Sequence, residues 1–127
     1  MFEKLELTRM AQGLAAYAGT RMSVIAQNVA HADTPGYKAQ DLPAFDTVFA
    51  TEASDMRATR PGHLHGASGA AAPVPERAAG RESPNGNTVS LEGEMVKSVE
   101  ARQSHEMALA VYRATSDVVR ASLGRSR

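Results

Sequence analysis

The large apolar side chains of this chain are gathered into two terminal stretches with helical spacing, and this limits it to folds built on two long helices. From about Leu5 to His31, the residues Leu7, Ala11, Leu14, Ala18, Met22, Ile25 and Val29 recur at steps of three and four, which puts them on one face of an amphipathic helix. Near the other end Val96, Val99, Gln103, Met107, Ala110, Ala114, Val118 and Ala121 repeat in the same way. Both stripes carry an eleven-residue rhythm, through Leu7, Ala18 and Val29 and through Val96, Met107 and Val118. A repeat slightly longer than the helical period predicts stripes that run nearly straight or drift right-handed, not a left-handed zipper.

The ends of these helices are marked by turn chemistry. Thr34 precedes a proline and is pushed toward extended backbone, while Pro35-Gly36 suits the central positions of a type II turn, so the first helix is expected to stop between His31 and Asp33. Ser83-Pro84-Asn85-Gly86-Asn87 is a dense turn cluster, after which Ser90 suits a helix cap and Glu92 the positive helix end. Arg120, Arg125 and Arg127 complement the dipole at the far end, and Gly124 lets it fray.

Between the helices the pattern is weak. Residues 37–45 show no helical face and read as an extended arm, with Phe45, Val48 and Phe49 making one short turn. Residues 51–86 are rich in Ala, Gly, Pro, Arg and Ser, with few large apolar side chains beyond Met56, Leu64 and Val74. Such a stretch cannot offset its own ordering entropy and is expected to be disordered in a free monomer. The predicted architecture is therefore mainly α: two long terminal helices in an antiparallel hairpin or coiled-coil-like pair, with a long irregular middle. The divisions fall at residues 1–33, 34–87 and 88–127.

A helix of about twenty-five residues spans roughly 38 Å. Pairing two of them leaves Leu5, Met10, Tyr17, Val24, Met95, Val111, Tyr112 and Val119 on the flanks, so the hairpin calls for further partners. Helix-packing seams are expected through Leu7, Leu14 and Ile25 on the first helix and Val96, Val99, Met107 and Val118 on the second.

Composition removes several function classes. Fourteen Lys plus Arg balance fourteen Asp plus Glu, so no net field draws in a polyanion, and no nucleic acid is expected as a partner. There is no cysteine, hence no disulfide framework, thiolate metal site or cysteine nucleophile. His63-x-His65 and the pair His105-Glu106 are thin material for a metal site, and no serine sits in a nucleophile elbow. No cofactor and no enzymatic activity are expected. The N-terminus mixes acidic residues into its first six positions and has no continuous apolar core before Arg9, so no Sec-type leader and no direct membrane insertion are expected.

Asn28-Val29-Ala30-His31-Ala32-Asp33-Thr34-Pro35-Gly36-Tyr37 is the most informative stretch. It resembles the motif Asn-x-Ala-Asn-x-Asp-Thr-Pro-Gly-Tyr of bacterial flagellar rod and hook proteins, where it closes a first helix of about this length. The blocks Lys38–Leu42, Met56–Leu64 and Gly86–Met95 resemble the innermost rod members of that family. His31 departs from the second Asn, and Gly93 falls in the first turn of the second helix. Physically, such a motif needs a residue that leaves the helix without strain, an acceptor for freed backbone donors and a fixed reversal, roles that suit Asn28 or His31, Asp33 and Pro35-Gly36, with Tyr37 aimed back at the helix.

The resemblance implies a structural subunit of the proximal rod of the flagellar basal body. It implies export without a cleaved signal peptide, and partners among other copies of the chain, other rod proteins, the ring-to-rod adaptor and the export gate. The motif residues it carries over are Asn28, Ala30, Asp33, Thr34, Pro35, Gly36 and Tyr37. Another secreted helical-hairpin axial subunit, such as a sibling proximal rod protein, is the alternative.

Overall fold

The computed structural model describes residues 2–53 and 73–124. Two helices dominate it: α1, Phe2–Ala30, and the terminal helix Leu91–Ser122. Between them lie a short strand β1, Gln40–Asp41, a helix α2, Phe45–Ala53, and a second short strand β2, Glu76–Arg77, so the terminal helix is α3. Asn28 near the end of α1 bonds Glu94 near the start of α3, and Arg21 approaches Glu100. The two long helices are thus antiparallel, the mainly α hairpin that the periodicity predicts.

The seam differs from the expected one on the α3 side. Its fully buried positions are Glu94, Ala101, Ala108 and Thr115, and those of α1 include Ala11, Ala18 and Ile25. Both sets step by seven residues, the repeat of left-handed pairing, and not by eleven. Val96, Val99, Met107 and Val118 are instead about half to two-thirds exposed, turned away from this seam, and Leu7 is exposed toward the start of α1. Ile25 is buried and Leu14 half-buried. The physical reason is size: alanine on both helices lets the backbones approach closely, whereas the larger Val and Met stripe would hold them apart.

A third layer, not anticipated from the sequence, lies along α1. After the turn the chain doubles back along that helix. Tyr37 stacks on His31, Asp41 meets Arg21, and the Tyr17 hydroxyl donates to the Pro43 carbonyl at 2.7 Å. Phe45 and Phe49 then reach the first half of α1. Phe45 packs against Tyr17, Arg9 lies over the Phe49 ring, and both phenylalanines lie against Gly13, where a methyl group would touch them at 3.7–3.8 Å. The single short turn expected at Phe45–Phe49 is a nine-residue helix, because these rings find an apolar flank of α1 to cover.

Part of the expected disordered stretch is also ordered. Residues 73–86 return to the arm, where β2 pairs antiparallel with β1 in the register Gln40 to Arg77 and Asp41 to Glu76. The Ala78 amide donates to the Ala39 carbonyl, and the Thr88 amide to that of Tyr37. Backbone pairing needs no apolar side chains, which is why composition alone did not reveal it. The remainder of that expectation, together with the Met56–Leu64 block and His63-x-His65, lies largely or wholly outside the described residues.

Replacing Ala108 by Leu is expected to overpack the seam and destabilise the chain by about 1–3 kcal/mol. Urea unfolding should show a lower midpoint at an unchanged slope.

Candidate functional site: the joint between the helices

The C-terminal end of α1 is where the sequence motif folds, and the arm, the turn at residues 83–87 and the start of α3 meet there. After Ala30 the His31 amide still reaches back to Gln27, and then the Tyr37 amide closes on the Thr34 carbonyl at 3.3 Å. Gly36 between them has φ of 73°, the left-handed value that a type II turn requires at its third residue and that glycine adopts freely. Gly86, with φ of 80°, sits against it, a side chain there meeting the Gly36 Cα at 3.4 Å. The Asn85 carbonyl accepts the Gly36 amide at 3.0 Å.

Asn28 is the hub. It is completely buried. Its Nδ2 donates to the Gln40 carbonyl at 2.7 Å and to Glu94 Oε2 at 3.0 Å, while its Oδ1 accepts from the Gln40 amide at 3.0 Å and the Tyr37 hydroxyl at 3.3 Å. One side chain therefore ties α1 to the arm and to α3. An asparagine has two donors and a two-lone-pair acceptor, so all its capacity is used.

Asn87 closes the other half of the joint. Its Nδ2 lies 2.8–2.9 Å from the carbonyls of His31, Ala32 and Thr34, and its Oδ1 accepts the Val89 amide at 2.7 Å. It draws together three carbonyls of the turn that follows α1 while shaping the approach to α3. Ser90 then caps α3 through the Gly93 amide. Asp33, expected to catch freed backbone groups, is exposed and takes none of these bonds. The groups left open at the end of α1 are carbonyls, which need a donor such as an amide nitrogen and not a carboxylate. Ala30, Thr34 and Pro35 are also exposed, so their contribution is to the backbone path.

A chain of alternating charges flanks the hub. Glu94 Oε1 pairs with Lys97 at 3.0 Å, Lys97 with Asp41 Oδ2 at 3.2 Å, and Asp41 Oδ1 with Arg21 at 3.2 Å. Burial alone would raise the Asp41 carboxyl, but the bonds from Arg21, the Leu42 amide and Lys97 outweigh it and hold it below the ordinary range. Burial would lower Lys97, yet its bonds to Glu94 and Asp41 leave it raised, and Arg21 is raised in the same way by Asp41. Among the described residues no three metal-ligating side chains converge, and no helix is long and apolar enough to cross a membrane.

The sequence motif pointed to Asn28 and Tyr37 but not to their partners. Glu94 sits in an acidic first turn that reads as dipole chemistry, and Asn87 in a turn cluster that reads as loop. The signal available was that Glu94 falls in heptad step with Ala101, Ala108 and Thr115.

Two outcomes test the joint. Asn87→Ala removes the amide donor from the Ala32 carbonyl, while those of His31 and Thr34 keep the Thr34 and Tyr37 amides, and is expected to cost about 1–3 kcal/mol, read as a lower melting temperature. Because the Asp41 pKa is depressed on folding, its contribution is complete above the unfolded value near 4 and disappears as pH falls through the folded one. The melting temperature should therefore drop more steeply below about pH 4 in the parent than in Asp41→Asn.

No protein-family model matches the chain. It is 28% identical over 116 residues to the flagellar basal body rod protein FlgB of Agrobacterium fabrum, with 83% of each chain covered. That similarity and the motif read from the sequence agree, and both point to likeness with the flagellar basal-body rod protein FlgB.

Proposed function

We propose that this chain is a structural subunit of the proximal rod, built into the flagellar basal body through its two long helices. The similarity to FlgB supports the reading, and the observation that carries it is the second stripe of α3. Val96, Val99, Met107 and Val118 stand exposed along about six turns of a helix whose other face is already packed. A solitary exposed apolar residue needs no explanation, but a stripe of them along one helix is the mark of a packing surface.

In this reading the stripe packs on neighbouring copies and on other rod proteins, and stacked hairpins form a tube that carries torque and leaves an axial path. The joint fixes the angle between the helices and the arm, so that each copy presents the same stripe in the same direction. Export proceeds through the N-terminal segment without a cleaved leader, delivering the chain to the periplasmic side beside the export gate and the ring-to-rod adaptor.

The test is a Val96→Asp, Val99→Asp, Met107→Asp triple variant. These side chains are exposed in the single chain, so its melting should stay within about 1–2 kcal/mol of the parent. Charges at a packed interface are costly, so cells whose own copy is deleted should secrete the variant yet build no rod and fail to swim. Normal swimming would overturn the assignment of this face.

A further inference from the structure

The α3 helix carries two stripes, and the one facing α1 is the less apolar. The inward positions are Glu94, Ala101, Ala108 and Thr115, whereas Val96, Val99, Met107 and Val118 face outward. At about 100° per residue the two stripes lie nearly opposite each other at Val96 and Val99 and converge to about 100° apart at Met107 and about 60° at Val118. Burial of apolar area alone would turn α3 about its axis and seat the Val and Met stripe against α1. Close approach at the alanines opposes that rotation, and a directional contact opposes it further.

The opposing contact is at one end of the seam. Glu94 is buried at 3% exposure. One of its carboxylate oxygens accepts from Asn28 and the other pairs with Lys97, which is itself held by Asp41 of the arm. Turning α3 outward would take Glu94 from Asn28, leaving one N–H of a buried amide without its acceptor while the other stays on the Gln40 carbonyl. The contact of Arg21 with Glu100, nearer the Val and Met side, is longer at 4.0 Å and more exposed. Buried polar pairs are known to select one register among alternatives of similar apolar burial.

We propose that the Asn28–Glu94 bond is a rotational lock, which keeps the small alanine stripe of α3 inward and thereby holds the large apolar stripe outward, open to a partner. The lock acts within a single chain, so it stands or falls separately from the identity of that partner. Its release exchanges the two faces of α3 without melting the helix.

The absence of native cysteine makes thiol labelling a clean probe. Single cysteines are placed at Met107, on the outward stripe, and at Ala108, in the seam, in the parent and in Glu94→Met and Glu94→Gln backgrounds. Labelling is done at concentrations where the rate does not depend on protein concentration. In the parent, the cysteine at 107 should label faster than that at 108 by on the order of tenfold or more. Glu94→Met leaves Asn28 bonded to Gln40 and Lys97 to Asp41, and should reverse the order with helical circular dichroism retained. Glu94→Gln, which keeps an acceptor for Asn28, should behave as the parent. Adding Val96→Ser and Val99→Ser to Glu94→Met removes the gain from rotation and should restore the parent order. An unchanged order in Glu94→Met would mean that the alanine seam alone sets the orientation, and fast labelling at both sites would mean simple loss of packing. Either result overturns the lock.

Discussion

The end of α1, the returning arm and the start of α3 are organised around one buried amide. Asn28 lies at the point where α1, the returning arm and the start of α3 converge, and its bonds run to the arm backbone on one side and to Glu94 on the other. Because the amide is wholly enclosed, its partners are not optional: each lost bond leaves a polar atom where water does not reach. Hydrophobic burial between the helices is non-directional and would tolerate several registers. The amide tolerates one, and the seam inherits its phase from it.

The two aspects of the joint have different physical origins. Its path is set by backbone geometry, in which Pro35, Gly36 and Gly86 permit a reversal that most residues resist. Its strength comes from side chains that answer the open groups at the helix end, chiefly the Asn87 amide beneath three carbonyls. The charges of Arg21, Asp41, Lys97 and Glu94 form a third ring around both, partly screened by burial from the solvent that makes exposed ion pairs weak.

How much of this was legible in the sequence follows from the kind of interaction concerned. Local signals carried the helices, their stops and the turn: spacing placed α1 and α3, and Pro35-Gly36 and Ser90 marked their limits. The inward face of α3 was misread because periodicity ranks stripes by side-chain size, while close helix packing favours the smallest side chains, here Ala101 and Ala108. The arm and α2 were underestimated for another reason. Residues such as Phe45 and Phe49 have no amphipathic context of their own and order only against the flank of α1 near Gly13. Tertiary contacts of that kind, like the pairing of Asn28 with Glu94 across 66 residues, leave no local trace.

The alanine seam also has a bearing on dimension. The distance between two packed helices is fixed by the side chains at their contact, within about 8–10 Å, and small residues at Ala11, Ala18, Ala101 and Ala108 set the spacing toward the narrow limit. In an array made by repeating one such pair, that thickness becomes the unit of length from which curvature and diameter are composed. A single added methylene at the seam would be a minor local strain in one chain, yet it would recur at every subunit, and a closed ring sums its tolerances around the circumference.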